Sequence, residues 1–233
     1  MKITVIADIH GRTCWNDIVE KERDSDKIIF LGDYVSTHDN ISEEQQCSNL
    51  EDILNYKEAN PDKVILLRGN HDNQHLGYPW AECSGHFRDV EKYMESIKDR
   101  FLADTQWVYV EGNIIFSHAG ISKTWFNNFA FEDINLLNNC EPSEKFAFTP
   151  NSFYDYYGTS VTQPCVWIRP QVLVRDALDE YIQVVGHTPV KKITNLKSIK
   201  DEWPEIWLCD CLPDEYLVIE NNEFIIKKCN ESS

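Results

Sequence analysis

Five short segments hold most of the residues in this chain that could do chemistry: "ADIHG" (7–11), "GDYV" (32–35), "GNHD" (69–72), "SHAG" (117–120) and "GHTP" (186–189). Together they supply Asp8, His10, Asp33, Asn70, His118 and His187, a mixture of carboxylate, imidazole and amide oxygen. Ca²⁺ and Mg²⁺ favour oxygens alone and structural zinc favours thiolates, so this mixture suits Mn²⁺, Fe or Zn²⁺. Six protein ligands are too many for one catalytic ion that must keep positions open. Two ions sharing one bridging carboxylate accommodate them. Such a pair, about 3.5–4 Å apart, holds a bridging hydroxide, brings the pKa of that water towards about 7, and clamps phosphoryl oxygens during in-line attack. The chemistry implied is phosphoester hydrolysis. A single Asp or His in such a place is ordinarily a cap or a turn residue; the weight lies in five successive clusters.

Each cluster follows an apolar run: "ITVIA" (3–7), "KIIFL" (27–31), "VILLR" (64–68), "NIIFS" (113–117) and "IQVVG" (182–186). These runs, rich in Ile and Val, read as buried strands. In an open α/β sheet, ligands bind beyond the carboxyl ends of the strands, so clusters distant in sequence can converge there. Glycines at 11, 32, 69, 120 and 186 allow tight turns at those ends. Ser42 with Gln45 reads as a capping box opening a helix that carries Cys47, Leu50, Ile53 and Leu54 on one face and ends at "NPD". Val90, Tyr93, Met94, Ile97 and Phe101 form a second helical stripe, and "RPQVLVRDALDEY" (169–181) reads as a further helix. "WVYVEGNIIFS" is expected to form a hairpin about Glu111-Gly112-Asn113, which makes the sheet mixed. "IWLCDC", "EYLVIE" and "EFIIKK" read as closing strands. The fold class expected is α/β in a single domain over residues 1–233. Between 126 and 165 periodicity fades and aromatics mix with Asn, Ser, Thr and Pro, as in a surface insertion bordering a cleft. Its aromatics, among them Phe146, Phe148, Phe153, Tyr154 and Tyr156, are expected as a satellite cluster, with a wall for substrate as the alternative.

The formal charge of −17 repels polyphosphate backbones and anionic membranes at long range, so nucleic acid is an unlikely partner. No stretch is long and apolar enough for a signal peptide or a membrane span, which makes a cytoplasmic protein the expectation. Eight irregularly spaced cysteines read as reduced thiols. Cys209 and Cys211 in "CDC" lack a second cysteine pair and are expected on one face of a strand rather than around zinc. His38, His75 and His86 belong to no cluster and are expected at the surface, with His75 a secondary candidate near the site.

The segments "DIHG", "GDYV", "GNHD", "SHAG" and "GHTP", in this order, resemble the signature of the calcineurin-like metallophosphoesterase superfamily. "GDYV", "LLRGNHD" and "SHAG" are most similar to its phosphoprotein phosphatase branch, which includes small bacterial and phage enzymes. The resemblance spans residues 3 to about 190, with "CDCLPDEYLVIE" similar to the closing strands. It implies a four-layer α/β/β/α sandwich with mixed sheets and two divalent ions, Mn²⁺ first, at its edge. It further implies that Asp8 and His10 hold one ion, that Asn70, His118 and His187 hold the other, and that Asp33 bridges. His71 would be the general acid for the leaving alkoxide, a role that suits imidazole, or otherwise a hydrogen-bond donor to substrate. Arg169 in "WIRP" resembles the arginine whose planar fork grips phosphate.

The second motif departs from the branch, where Gly-Asp-x-x-Asp-Arg-Gly provides an acid that orients the histidine and an arginine that clamps phosphate. Ser36 and Thr37 occupy those positions here. Ser36 can accept a hydrogen bond from an imidazole but cannot stabilise an imidazolium with a full charge. Asp39 or His38 could reach back, Arg12 is the candidate replacement cation, Asp72 could orient the site or hold its loop, and Arg68 is expected to hold structure. The reading is a dinuclear phosphoesterase acting on phosphomonoesters of a protein or small molecule, with phosphoserine and phosphothreonine among the candidates. A phosphodiesterase or dinucleoside polyphosphate hydrolase is the alternative in the same chemistry, and a non-catalytic scaffold the alternative of another class.

Overall fold

The computed structural model describes residues 1–37, 39–78, 81–148 and 157–229. The elements run β1 (Lys2–Ile6), α1 (Trp15–Lys21), β2 (Lys27–Phe30), α2 (Glu43–Ala59), β3 (Val64–Leu67) and α3 (Asn70–Asn73). There follow α4 (Arg88–Ser96), α5 (Lys98–Asp104), β4 (Thr105–Gln106), β5 (Val108–Glu111), β6 (Ile114–Ser117) and α6 (Lys123–Asn127). The chain closes through α7 (Pro170–Asp176), β7 (Ile182–Val185), β8 (Thr194–Asn195), β9 (Ile206–Leu208), β10 (Glu215–Glu220) and β11 (Glu223–Lys228). All five apolar runs are therefore strands.

The strands form two sheets, ordered β11-β10-β1-β2-β3-β4 and β5-β6-β7-β9-β8. Both are mixed. In the first, β1, β2 and β3 are parallel and β10 joins β1 antiparallel. In the second, β6, β7 and β9 are parallel, while β5 and β6 make the expected hairpin across Gly112-Asn113.

Alternation along the strands assigns the layers. Ile3, Val5, Ile29, Leu31 and Leu67 of the first sheet meet Ile114, Phe116 and Val184 of the second in one core between the sheets. Ile6, Ile28, Phe30, Val64 and Leu66 turn to the other face, where Trp15, Ile18, Leu50, Ile53, Val90 and Phe101 cover them. The outer face of the second sheet is covered by Trp125 and Phe146 at one end and by Leu173 of α7 at the other. This is the four-layer α/β/β/α sandwich.

Three local expectations need correction. The stripe from Val90 to Phe101 is carried by two helices, because Ile97 (φ −109°, ψ 9°) leaves helical geometry between α4 and α5. The helix expected over 169–181 stops at Asp176, since Ala177 is extended (φ −63°, ψ 154°) and forms an isolated bridge with Ser122. Cys209 and Cys211 lie just beyond β9 rather than within it, and both are buried in the core between the sheets. All eight cysteines are free thiols.

Other expectations match their surroundings. Ser42 accepts from the Gln45 amide and completes the capping box of α2. Arg68 is structural: its guanidinium bonds Thr105 and the Leu102 carbonyl and lies over the Trp107 ring. In the 126–165 region, Phe129, Phe146 and Phe148 are buried with Trp107 and Trp125, whereas Phe153, Tyr154 and Tyr156 fall outside the described residues. Among the described residues, no helix is long and apolar enough to cross a membrane.

Candidate metal centre

Parallel pairing sends β1, β2 and β3 of one sheet and β6, β7 and β9 of the other to a shared edge, and the polar clusters meet there. Hydrogen bonds tie the two sheets at this edge: the His187 N–H donates to Asp8 Oδ1 (2.9 Å) and His118 Nδ1 to the Leu31 carbonyl (2.8 Å). Asp8, His10, Asp33 and His187 all have positive φ (46° to 62°), as does Ser36 at 67°. Left-handed backbone at non-glycine residues costs free energy and persists only where surrounding structure enforces it. The strain is thus concentrated at the strand ends. Two glycines permit the crowding: a Cβ at Gly69 would lie 2.1 Å from Asp33 Oδ1, and one at Gly186 the same distance from Asp8 Oδ2.

The structure brings the six sequence-derived candidates together. Asp8, His10 and Asp33 form one group, and Asp33, His118 and His187 another, each with ligand atoms within 4.8 Å of one another. Asp33 is common to both. Asn70 Oδ1 joins the second group, 2.9 Å from His118 Nε2 and 2.8 Å from His187 Nδ1. Asp33, which an exposed loop end would have left in solvent, is only 2% exposed.

Each imidazole is oriented by a backbone carbonyl: His10 Nδ1 by Val35 (3.0 Å), His118 Nδ1 by Leu31 (2.8 Å) and His187 Nε2 by Trp167 (3.2 Å). A carbonyl can only accept, so each of those nitrogens carries a proton and the opposite nitrogen is the one turned to the cluster. Lone pairs of His187 Nδ1 and Asn70 Oδ1 then confront each other. Asn70 Nδ2 points away, donating to Cys83 Sγ (3.3 Å). Facing acceptors at this distance need a cation or a proton between them, and the residues present fit a divalent ion.

The charge balance has the same meaning. Burial works against an imidazolium at His118, but Asp33 Oδ2 at 3.4 Å outweighs it and raises the imidazole to about 9. Burial would likewise raise Asp33, yet His118, His71 and His10 hold it well below the usual carboxylate range. Burial and the charge of Asp210 raise Asp8, and burial with the neighbouring His118 and Arg169 lowers His187. This cluster of acids and imidazoles is arranged to suit positive charge.

The cleft over the cluster has a volume of about 400 Å³ and is lined by His10, Asp33, Asn70, His71 and His187 among others. Both candidate arginines reach it. Arg169 Nη1 donates to the His187 carbonyl (3.1 Å) and Thr188 Oγ1 (3.2 Å). Arg12 is ion-paired to Asp39 at 2.6 Å and also donates to the Asp8 carbonyl (3.3 Å). Asp39 thus serves Arg12, and His38 lies outside the described residues. Asp72 holds the loop: its oxygens accept N–H groups from Asp33, Tyr34 and Gly69, each at 2.8 Å, while burial and the Asp33 charge push it up to about 7.

His75 corrects another expectation, since it is fully buried rather than at the surface. Its Nε2 lies 2.6 Å from Ser36 Oγ, so Ser36 does meet an imidazole, but that of His75 rather than His71. The sequence reading also passed over Asp210, Cys83, Gln74 and Trp167. Asp210 lines the cleft beyond β9, a sixth strand end with an acid, and its signal was hidden inside a motif weighed only for its cysteines. Trp167 stacks on Phe148 (5.2 Å between ring centroids), which connects the outer aromatic cluster to the cleft.

Residues 1–205 match the family model for calcineurin-like phosphoesterases. The chain belongs to the calcineurin-like phosphoesterase family. It is a phosphoric ester hydrolase carrying candidate ligands for divalent metal. Solved structures with the same fold include a cold-active protein-tyrosine phosphatase of a psychrophilic Shewanella species, at TM-score 0.66 and 16% identity over 98% of this chain and 78% of that one. They include a protein serine/threonine phosphatase of Saccharomyces cerevisiae, at TM-score 0.56 and 14% identity over 100% of this chain and 81% of that one. A metallophosphoesterase of Sphaerobacter thermophilus matches at TM-score 0.53 and 14% identity over 98% and 88%. At these identities the likeness to this phosphoesterase is one of fold.

Proposed function

We propose that this phosphoesterase is a dinuclear enzyme that hydrolyses phosphomonoesters, with Mn²⁺ as its first-choice ion. Asp8 and His10 hold one ion, Asn70, His118 and His187 the other, and Asp33 is shared. The observation that carries this reading is the trio of carbonyl-oriented imidazoles whose opposite nitrogens converge beside Asp33, which belongs to both ligand groups. Two divalent ions bound there supply charge against the phosphoryl oxygens and acidify water. The chain itself orients the substrate: Arg169 and Arg12 face the phosphate across the cleft, and His71 meets the leaving oxygen as a proton or hydrogen-bond donor. Free thiols at all eight cysteines suit a reducing compartment such as the cytoplasm.

The test is a substrate panel with Mn²⁺, including aryl phosphate, phosphotyrosine, phosphoserine and phosphothreonine peptides, with Asp33→Asn as control and elemental analysis alongside. Phosphate release that follows metal content and collapses in Asp33→Asn is expected. Full metal loading without turnover on any substrate would refute the activity and favour a scaffold. A diester or dinucleoside polyphosphate is the second reading, favoured because Thr37 carries no charge and Arg12 is engaged by Asp39. A bis-aryl phosphate and a dinucleoside tetraphosphate belong in the same panel.

A further inference from the structure

Among the described residues, an amide of unexpected polarity lies against the His71 ring. Gln74 lies three residues further on, one helical turn away and on the same face. Its Oε1 accepts the N–H of Cys83 (3.2 Å), which fixes the sense of the amide and turns Nε2 towards His71 Nδ1 (3.2 Å). The same nitrogen reaches Ser36 Oγ (3.4 Å) and the Ser84 carbonyl (3.4 Å). Cys83 Sγ also lies near Nδ1 (3.7 Å). Ser36, at the position where a carboxylate would orient the histidine, is instead bonded to the buried His75.

An amide N–H can be accepted only by a nitrogen with a lone pair. His71 Nδ1 bonded to Gln74 therefore carries no proton, and the proton of the ring sits on Nε2. A carboxylate at Nδ1 would do the opposite, accepting Nδ1–H and supporting a ring protonated on both nitrogens. From these contacts we infer that Gln74 is a positioning residue that holds His71 as the Nε2–H tautomer, so that the site favours leaving groups able to depart as anions. This rests on the reading of His71 as the residue that meets the leaving oxygen.

In the reaction the oxygen of water forms the new P–O bond, the bond to the leaving oxygen breaks, and its electron pair stays on that oxygen. The leaving oxygen takes a hydrogen bond from His71 Nε2–H without receiving the proton. For an aryl phosphate the products are phenolate and dihydrogen phosphate, which balances both protons of the water. A phenolate or a phosphate group leaves in this way readily, whereas an alkoxide such as that of serine needs full protonation. The substrate class is thus aryl phosphates or phosphoanhydrides.

The first measurement is of ¹⁵N imidazole shifts in the Zn²⁺-loaded protein, which is diamagnetic, with His71→Asn identifying the resonances. The expected spectrum has His71 protonated at Nε2 and bare at Nδ1; a protonated Nδ1 overturns the proposal whether or not the protein turns over. The second compares turnover of 4-nitrophenyl phosphate, phosphotyrosine peptide, dinucleoside tetraphosphate and phosphoserine peptide with Mn²⁺. The wild type is expected to favour the aryl or anhydride substrate over the phosphoserine peptide by about 10²-fold or more, the scale of lost acid catalysis. Gln74→Glu, which reverses the polarity, is expected to move the proton to Nδ1 and narrow that ratio at least about tenfold. Equal rates on aryl and seryl phosphates, or a ratio unchanged in a folded Gln74→Glu protein, overturn the proposal. The aryl and anhydride arms separate the two sources of leaving group. Absence of turnover on every substrate would instead refute the catalytic reading on which the proposal stands.

Discussion

Gly186 and Asp8 are in a contact that leaves no room for a side chain: a Cβ at Gly186 would lie 2.1 Å from Asp8 Oδ2. The following N–H, that of His187, donates to both Asp8 oxygens at 2.9 and 3.1 Å. A candidate ligand of one group is thus held by the backbone of a candidate ligand of the other. Gly186→Ala is expected to displace Asp8 and lower metal affinity by about 10–100-fold, the usual effect of disturbing a group that orients a ligand. Titration with Mn²⁺, followed by activity and by metal content, reads the change. An unchanged affinity would show that this contact is not needed.

Asp72 is the matching clasp on the first sheet. Its carboxylate accepts three backbone N–H groups, which join the loop of Asp33 to that of Asn70. Asp72→Asn keeps the shape but places an amide NH₂ against at least one of those N–H groups. The expected loss is about 1–3 kcal/mol of folding stability, the cost of a buried donor left without its acceptor. Urea unfolding at neutral pH measures it, and a parallel fall in Mn²⁺ affinity is expected as Asp33 loosens.

His75 makes stability depend on acidity. Burial, with the nearby His86 and His71, lowers its imidazole to about 3. The neutral form is therefore the one that folding requires. The stabilisation is fully present above the unfolded value of about 6.5 and is lost as pH falls from there towards 3, by up to about 1.4 kcal/mol per pH unit. Melting temperatures from pH 7 to 4 should fall more steeply for the wild type than for His75→Gln. Parallel curves would remove His75 as a cause.

Arg169 is expected to act on substrate rather than on metal. Its guanidinium lines the cleft, although one nitrogen is engaged with the His187 carbonyl and Thr188. Arg169→Lys keeps the charge but loses the planar fork that grips two phosphate oxygens. A rise in KM of about tenfold is expected, corresponding to about 1.4 kcal/mol, with metal content unchanged. Loss of metal in this variant would mean that Arg169 supports His187 instead.

The sequence by itself determined the strands, their polar ends and the kind of chemistry. Val/Ile-rich runs bury both faces of a strand, so they stand out without knowledge of their partners, and short motifs keep their residue types wherever the chain places them. The six ligand candidates were legible for that reason. Tertiary structure alone decided how the ends converge, because pairing β1 with β2 and β6 with β7 is a long-range choice. It also decided that Ser36 meets His75 while Gln74 meets His71, since both contacts depend on which side of a short helical turn faces the cleft. Asp210 shows the same limit: an acid after a strand has only a weak local signal when two cysteines flank it, and it joins the site because β9 lies beside β7 and ends at the same edge. Residue types are local facts, whereas the direction in which a side chain points is settled by the packing of strands and turns distant in sequence.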